Sequence, residues 1–125
     1  MRRIMVVCRD QGVSHVVEEA TRNWMFETVA CSSYGESLGL LDYQDFALVF
    51  CEEQCGDGTY RDLLPKARSR QAPVVVMISD GNQGTVFPEA MALGAFDVVT
   101  NPCSQRDVQW MVIRATRKES ASRAR

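Results

Sequence analysis

The chain has 125 residues, of which 46% are hydrophobic and 24% charged, and its net charge is −2. This is one domain's worth of ordinary folded composition, which excludes a disordered tail, a collagen-like fibre and a multidomain enzyme. A chain of this size buries roughly two-thirds of the surface its unfolded form exposes, enough to hold a core without staples. The longest apolar runs, such as Val74 to Ile78, fall far below the ~20 residues that span a bilayer. No long apolar stretch with a cleavage site follows Met1-Arg2-Arg3, and the five cysteines lack a disulfide-framework spacing. The expectation is a cytoplasmic protein with reduced thiols and no membrane partner.

Along the chain, short apolar runs alternate with helix-like stretches. Arg3 to Cys8 reads as a strand buried on both faces. Gly12 to Arg22 carries Val13, Val16, Val17 and Ala20 at helical spacing. Met25 to Cys31 is the second strand. Ser33, three residues before Glu36, forms a capping box for a short helix through Leu38 and Leu41. Phe46 to Cys51 is the third strand, and Gly56-Asp57-Gly58 a turn. Thr59 to Arg70 is helical, but Pro65 removes a backbone donor, so this helix is expected to kink or to start late. Pro73 to Ile78 is the fourth strand and Ser79 to Asn82 a loop. Thr85 to Leu93 is a helix ended by Gly94, and Phe96 to Thr100 the fifth strand. Asn101-Pro102 breaks that strand, and Ser104 caps a last helix running to about Lys118.

Strands alternating with such helices define right-handed βαβ units and a parallel sheet covered on both faces. Five units predict an α/β, flavodoxin-like (βα)5 doubly wound sandwich with strand order 2-1-3-4-5. Residues 1–118 form the domain and 119–125 a basic tail or linker. From Arg114 onward, Arg114, Arg117, Lys118, Arg123 and Arg125 stand against the single acid Glu119. This basic end is a solubilising helix end, a connection to an output module or a weak anion contact. In such sheets, sites form beyond the carboxyl ends of the strands. Those ends carry Cys8, Arg9 and Asp10; Glu52, Glu53, Gln54 and Cys55; Ser79 and Asp80; and Asn101, Pro102 and Cys103.

Three segments carry a family resemblance. Leu48 to Glu52 followed by Gly56-Asp57-Gly58-Thr59-Tyr60-Arg61-Asp62-Leu63-Leu64, Ala72 to Ser79, and Ala90 to Pro102 resemble CheY-like receiver domains of two-component signalling. The last block is similar to the receiver signature A-x-x-x-G-A-x-D-x-x-x-K-P. The resemblance covers residues 3 to about 117. It implies an aspartate at the end of the third strand that accepts a phosphoryl group. An acidic pair after the first strand would hold Mg²⁺, and a Ser or Thr after the fourth and a Lys after the fifth would contact the phosphoryl group. A carboxylate nucleophile and positive charge on the transferring oxygens are what that chemistry requires.

At the matching positions this chain has Glu52 for the aspartate, Cys8-Arg9 with only Asp10 nearby for the acidic pair, and Asn101 for the lysine. Val98 stands at the aromatic switch position, and Ser79 alone matches. The resemblance therefore implies a degenerate receiver, a pseudo-receiver, that is not an enzyme and needs no cofactor. It would act through a protein partner, a sensor kinase or an output domain. Glu52 is either a built-in imitation of the phosphorylated state or a solvated carboxylate, and Arg9 beside it forms an ion pair or stays separate. One alternative is a competent receiver using Glu52 or Asp57 with Asp10, Ser79 and Mg²⁺. Another, of a different class, is a flavodoxin-like module for FMN or another small ligand, or a thiolate metal site at Cys51-x₃-Cys55.

The remaining candidates lie elsewhere. Val108, Met111, Val112 and Ala115 form the core face of the last helix, and Trp110 and Ile113 leave it. In the resembled family the surface of the fourth helix, fifth strand and fifth helix carries dimers and output domains, which makes Trp110 and Ile113 candidate contacts and a homodimer a candidate assembly. His15 is a solvated or satisfied imidazole. No P-loop, dinucleotide fingerprint or helix-turn-helix is present, so nucleic-acid binding by this chain alone is not expected.

Overall fold

Three of the apolar runs become strands whose apolar residues are shut away from water. In the computed structural model, which describes residues 2–79 and 83–123, β1 (Arg2–Val7), β3 (Leu48–Glu52) and β6 (Val74–Ile78) form the buried centre of a sheet. The strands β2 (Phe26–Cys31) and β7 (Asp97–Thr100) form its edges, in the order β2-β1-β3-β6-β7, all parallel. This is the expected flavodoxin-like doubly wound arrangement. Burial on both faces is why the central strands read as continuous apolar runs rather than alternating ones.

The register sorts side chains between two layers. Met5, Val7, Val49, Cys51, Val74, Val76 and Ile78 face α2 (Tyr34–Tyr43), α3 (Tyr60–Ser69) and α4 (Gln83–Ala92). Ile4, Val6, Leu48, Phe50, Val75 and Met77 face α1 (Gln11–Ala20) and α5 (Gln105–Arg123). Val7 lies opposite both Cys31 and Cys51, and Glu52 opposite Met77, so the strand ends that carry the candidate residues finish close together.

Local chemistry sets the helix limits. Asp10 and Ser33 cap α1 and α2, and Ser104 and Asp107 exchange two hydrogen bonds of 3.1 Å at the start of α5. The late start weighed for α3 does not occur. Thr59 and Asp62 form a capping box that begins the helix at Tyr60, and Pro65 sits inside it, withholding one donor from the Arg61 carbonyl. Both α3 and α4 end in a Schellman pair of hydrogen bonds, with Gln71 (φ 58°) and Gly94 (φ 103°) in the left-handed region. Helix α5 continues past the expected end at Lys118 to Arg123. Asp80, Gly81 and Asn82, expected as a loop, and Ala124 and Arg125 of the basic tail lie outside the described residues. No described helix is long and apolar enough to cross a membrane.

The segment read as a simple turn is more. Two-residue strands β4 (Gln54–Cys55) and β5 (Gly58–Thr59) pair antiparallel into a small hairpin. Its turn needs Gly56 at φ 53°. A Cβ on Gly58 would stand 2.8 Å from Asp62 Oδ2 and 3.2 Å from Tyr34 Cβ. Glycine is therefore required where the hairpin meets α2.

Candidate functional site

Beyond the carboxyl ends of β3 and β6 lies a small polar cavity of about 200 Å³, lined by Glu52, Glu53, Gln54, Met77, Ser79 and Asn101. Three of the residues singled out in the sequence, Glu52, Ser79 and Asn101, thus meet at one place. Backbone bonds fix the rim: Glu53 N–H donates to the Met77 carbonyl at 2.9 Å, and Asn101 N–H to the Ile78 carbonyl at 2.8 Å. Cys8, Arg9 and Asp10 stand next to this cavity without lining it.

Three nearby carboxylates, those of Glu52, Asp10 and Asp57, already have a structural partner. The Glu52 side chain accepts a hydrogen bond from Arg9 N–H at 2.5 Å. The contact weighed as an ion pair is therefore made through the backbone, because the β1–α1 connection brings the peptide of Arg9 to the end of β3. The main-chain carbonyl of Glu52 accepts from the Tyr34 hydroxyl. Asp10 Oδ1 accepts from Gly12 N–H at 2.8 Å as the cap of α1. Asp57, the other acceptor weighed, is turned toward α2 and absent from the cavity lining. Its carboxylate accepts from Tyr34 N–H at 2.9 Å and Gly35 N–H at 3.0 Å, and these bonds hold it below the usual carboxylate range.

Mg²⁺ asks for several oxygen ligands in near-octahedral geometry. The carboxylates that would supply them are committed to backbone N–H groups, and Arg9 replaces one of the expected acids. Among the described residues, no three of His, Cys, Asp and Glu are arranged to hold a metal ion. The ion implied by the resemblance does not fit this set of donors. Among the described residues, the cavity lining offers two carboxylates, a hydroxyl and two amides but no cation to stabilise charge on a transferring phosphoryl group.

The thiols behave as core. Cys8, Cys31, Cys51 and Cys55 are buried and free. Burial first, then neighbouring Glu52 at Cys8 and Glu36 at Cys31, pushes Cys8 up to about 11 and Cys31 up to about 12. Burial likewise raises Cys51 to about 12 and raises Cys55. The Cys55 Sγ donates to the Ser32 carbonyl at 3.1 Å. Protonated, buried thiols are inert toward metals and oxidants, so the C-x₃-C spacing reflects packing.

The other candidates are dispersed. Val98 is half-buried against the α2–α3–α4 layer. Trp110 is 56% exposed on the outer side of α5. Ile113 does not face α4; it lines a separate groove with Trp24 and Met25. His15 is exposed on α1, with Glu19 one turn further on. Sequence reasoning missed Tyr34, which donates through its hydroxyl to Glu52 and through its N–H to Asp57. The available signal was a large aromatic at the first position after the Ser33 cap.

No protein-family model matches the chain, and no curated protein matches it. Solved structures do. A response regulator receiver domain protein from Clostridium thermocellum superposes with a TM-score of 0.84 at 16% identity, covering 97% of this chain and 98% of its own. NtrX from Brucella abortus, in complex with ADP, gives 0.84 at 22% identity over 99% of this chain and 28% of its own. The beryllofluoride-activated NtrC4 receiver domain dimer gives 0.81 at 16% identity, covering 94% of this chain and 98% of its own. The chain therefore has the fold of CheY-like receiver domains.

Proposed function

We propose that this chain is an atypical receiver-like domain of two-component signal transduction that works by protein–protein contact, takes up no phosphoryl group and is not an enzyme. The fold it shares with receiver domains supports the signalling role. The observation that carries the rest is the bond from Arg9 N–H to Glu52. It engages the one carboxylate at the acceptor position, while Asp10 and Asp57 serve as helix caps. Glu52 is then a permanent negative charge at the end of β3, where a receiver acquires one transiently. Phe87, Met91 and Trp110, exposed on α4 and α5, are the proposed contacts for an output domain, a sensor kinase or a second copy. We read residues 1–118 as the receiver-like domain and 119–125 as a basic tail or linker, with helix α5 running on to Arg123.

The test is incubation with acetyl phosphate and Mg²⁺ followed by intact-mass measurement. The unmodified mass is expected, and a phosphoryl adduct would overturn the reading. Glu52→Gln separates the two roles of Glu52. A built-in imitation predicts a changed amide spectrum around Ser79 and Asn101 and weaker partner binding; an unchanged spectrum means a merely solvated carboxylate.

A further inference from the structure

Helices α3 and α4 have ten residues each but are held to the sheet very differently. Helix α3 buries Tyr60, Leu63, Leu64 and Ala67. Among the described side chains of α4, only Val86 and Ala90 are buried, a valine and an alanine. Pro88 lies inside α4 and withholds a donor from the Gly84 carbonyl. Phe87, at 45% exposed, and Met91, at 39%, stand open to water. An element with so little apolar burial opens locally, at a lower cost than the fold as a whole.

A polar contact adds what packing lacks. One carboxylate oxygen of Glu89 accepts hydrogen bonds from the Tyr60 hydroxyl and from Arg61 Nε–H. The Arg61 guanidinium also lies over the Tyr60 ring, 5.0 Å from its centre. An exposed ion pair alone contributes little, because two long side chains must be ordered to make it. Here much of that ordering is done beforehand. The Tyr60 ring is buried in the core, and the Thr59–Asp62 capping box fixes Tyr60 and Arg61 in the first turn of α3. The Tyr60 hydroxyl first, and then Arg61, hold the Glu89 carboxyl below the usual carboxylate range, so both bonds are charge-assisted. Successive residues of a helix advance by about 100°. Glu89 therefore lies on one side of the buried Val86–Ala90 seam, and Phe87 and Met91 lie on the other. A pull on Glu89 is thus a turn of the face that carries Phe87 and Met91.

We propose that Glu89, Tyr60 and Arg61 form a latch that holds α4 against α3, and that α4, once unlatched, opens by itself while the sheet stays intact. The latch sets the position of the face bearing Phe87 and Met91 through a side-chain contact with α3, with no phosphoryl group involved. That consequence rests on the reading of Phe87 and Met91 as partner contacts; the latch itself is measured without a partner.

Native-state hydrogen exchange of the ¹⁵N-labelled chain tests it. Glu89→Ala is expected to speed exchange of the Ala90, Met91 and Ala92 amides about tenfold, while the amides of β1, β3 and β6 keep their rates. Alanine is the better helix former, so a faster rate is not an effect of propensity. Tyr60→Phe, which keeps the buried ring, is expected to speed the same amides about threefold. The double variant is expected to exchange no faster than Glu89→Ala, since both substitutions remove the same contact. Three results would overturn the proposal: unchanged α4 rates in Glu89→Ala, a rise shared equally by the central strands, or a double variant whose effect is the product of the two single ones. A phosphoryl adduct after acetyl phosphate treatment would overturn the proposed function instead, and leaves these rates as the test of the latch.

Discussion

The two ends of the sheet solve opposite problems. At the carboxyl end, polar groups are plentiful and tied to one another: Glu52 to Arg9, Asp10 to Gly12, Asp57 to Tyr34 and Gly35, and the Tyr34 hydroxyl to the Glu52 carbonyl. At the amino end, apolar groups are plentiful and Met25 and Trp24 stand open to water. The scaffold on which a receiver builds its chemistry is thus closed here by internal hydrogen bonds, whereas an end with no chemistry is left exposed. An end satisfied from within contributes to stability; apolar side chains left open to water do not.

The largest expected effect sits at the closed end. Tyr34, the first residue of α2, is fully buried where that helix meets the hairpin. Tyr34→Ala should cost about 3–5 kcal/mol in urea unfolding, by loss of ring packing and of the hydroxyl bond. Tyr34→Phe removes only the bond to the Glu52 carbonyl and should cost about 1 kcal/mol. If the two variants lose the same amount, the hydroxyl rather than the ring holds that end together.

A pH effect follows from Asp57. Its folded-state pKa lies below the unfolded value because two N–H groups favour the charged form. Its contribution is therefore complete above the unfolded value of about 4 and is lost as pH falls through the lower, folded value. Asp57→Asn should flatten the acid side of the stability curve, so the gap between variant and parent narrows below about pH 4. An equal gap at pH 3 and pH 7 would show that the carboxylate charge is not what caps α2. The smallest effect belongs to the open end: Met25→Asp should change stability by no more than about 0.5 kcal/mol. A larger loss would make Met25 part of the core and erase the contrast between the two ends.

Much of the fold was legible because its rules are local. Strands β1, β3 and β6 announce themselves as apolar runs, and Ser33 and Ser104 mark helix starts with an acid three residues on. What the sequence hid depends on distant partners or on very short elements. The strands β4 and β5 have two residues each, too few for any periodicity. Asp57 caps a helix that begins 23 residues before it, which no window of sequence displays. The Thr59–Asp62 capping box outweighed the Pro65 signal because two satisfied donors fix the start of a helix more firmly than one missing donor inside it. Of the site, Glu52, Ser79 and Asn101 were legible from their places at strand ends. That Glu52 would meet a peptide N–H of Arg9 rather than its guanidinium was not, since a backbone direction is set by the connection and not by the residue type.

The central claim is that the carboxyl-end site is already satisfied from within. Titration of the ¹⁵N-labelled chain with beryllofluoride and Mg²⁺, followed at the amides of Arg9, Glu52, Ser79 and Asn101, tests it most directly. The account predicts that these four signals stay where they are, with the Arg9 amide keeping its hydrogen-bonded shift. A saturable movement of the four together would show that the site opens to a phosphoryl analogue and its metal, and would contradict it.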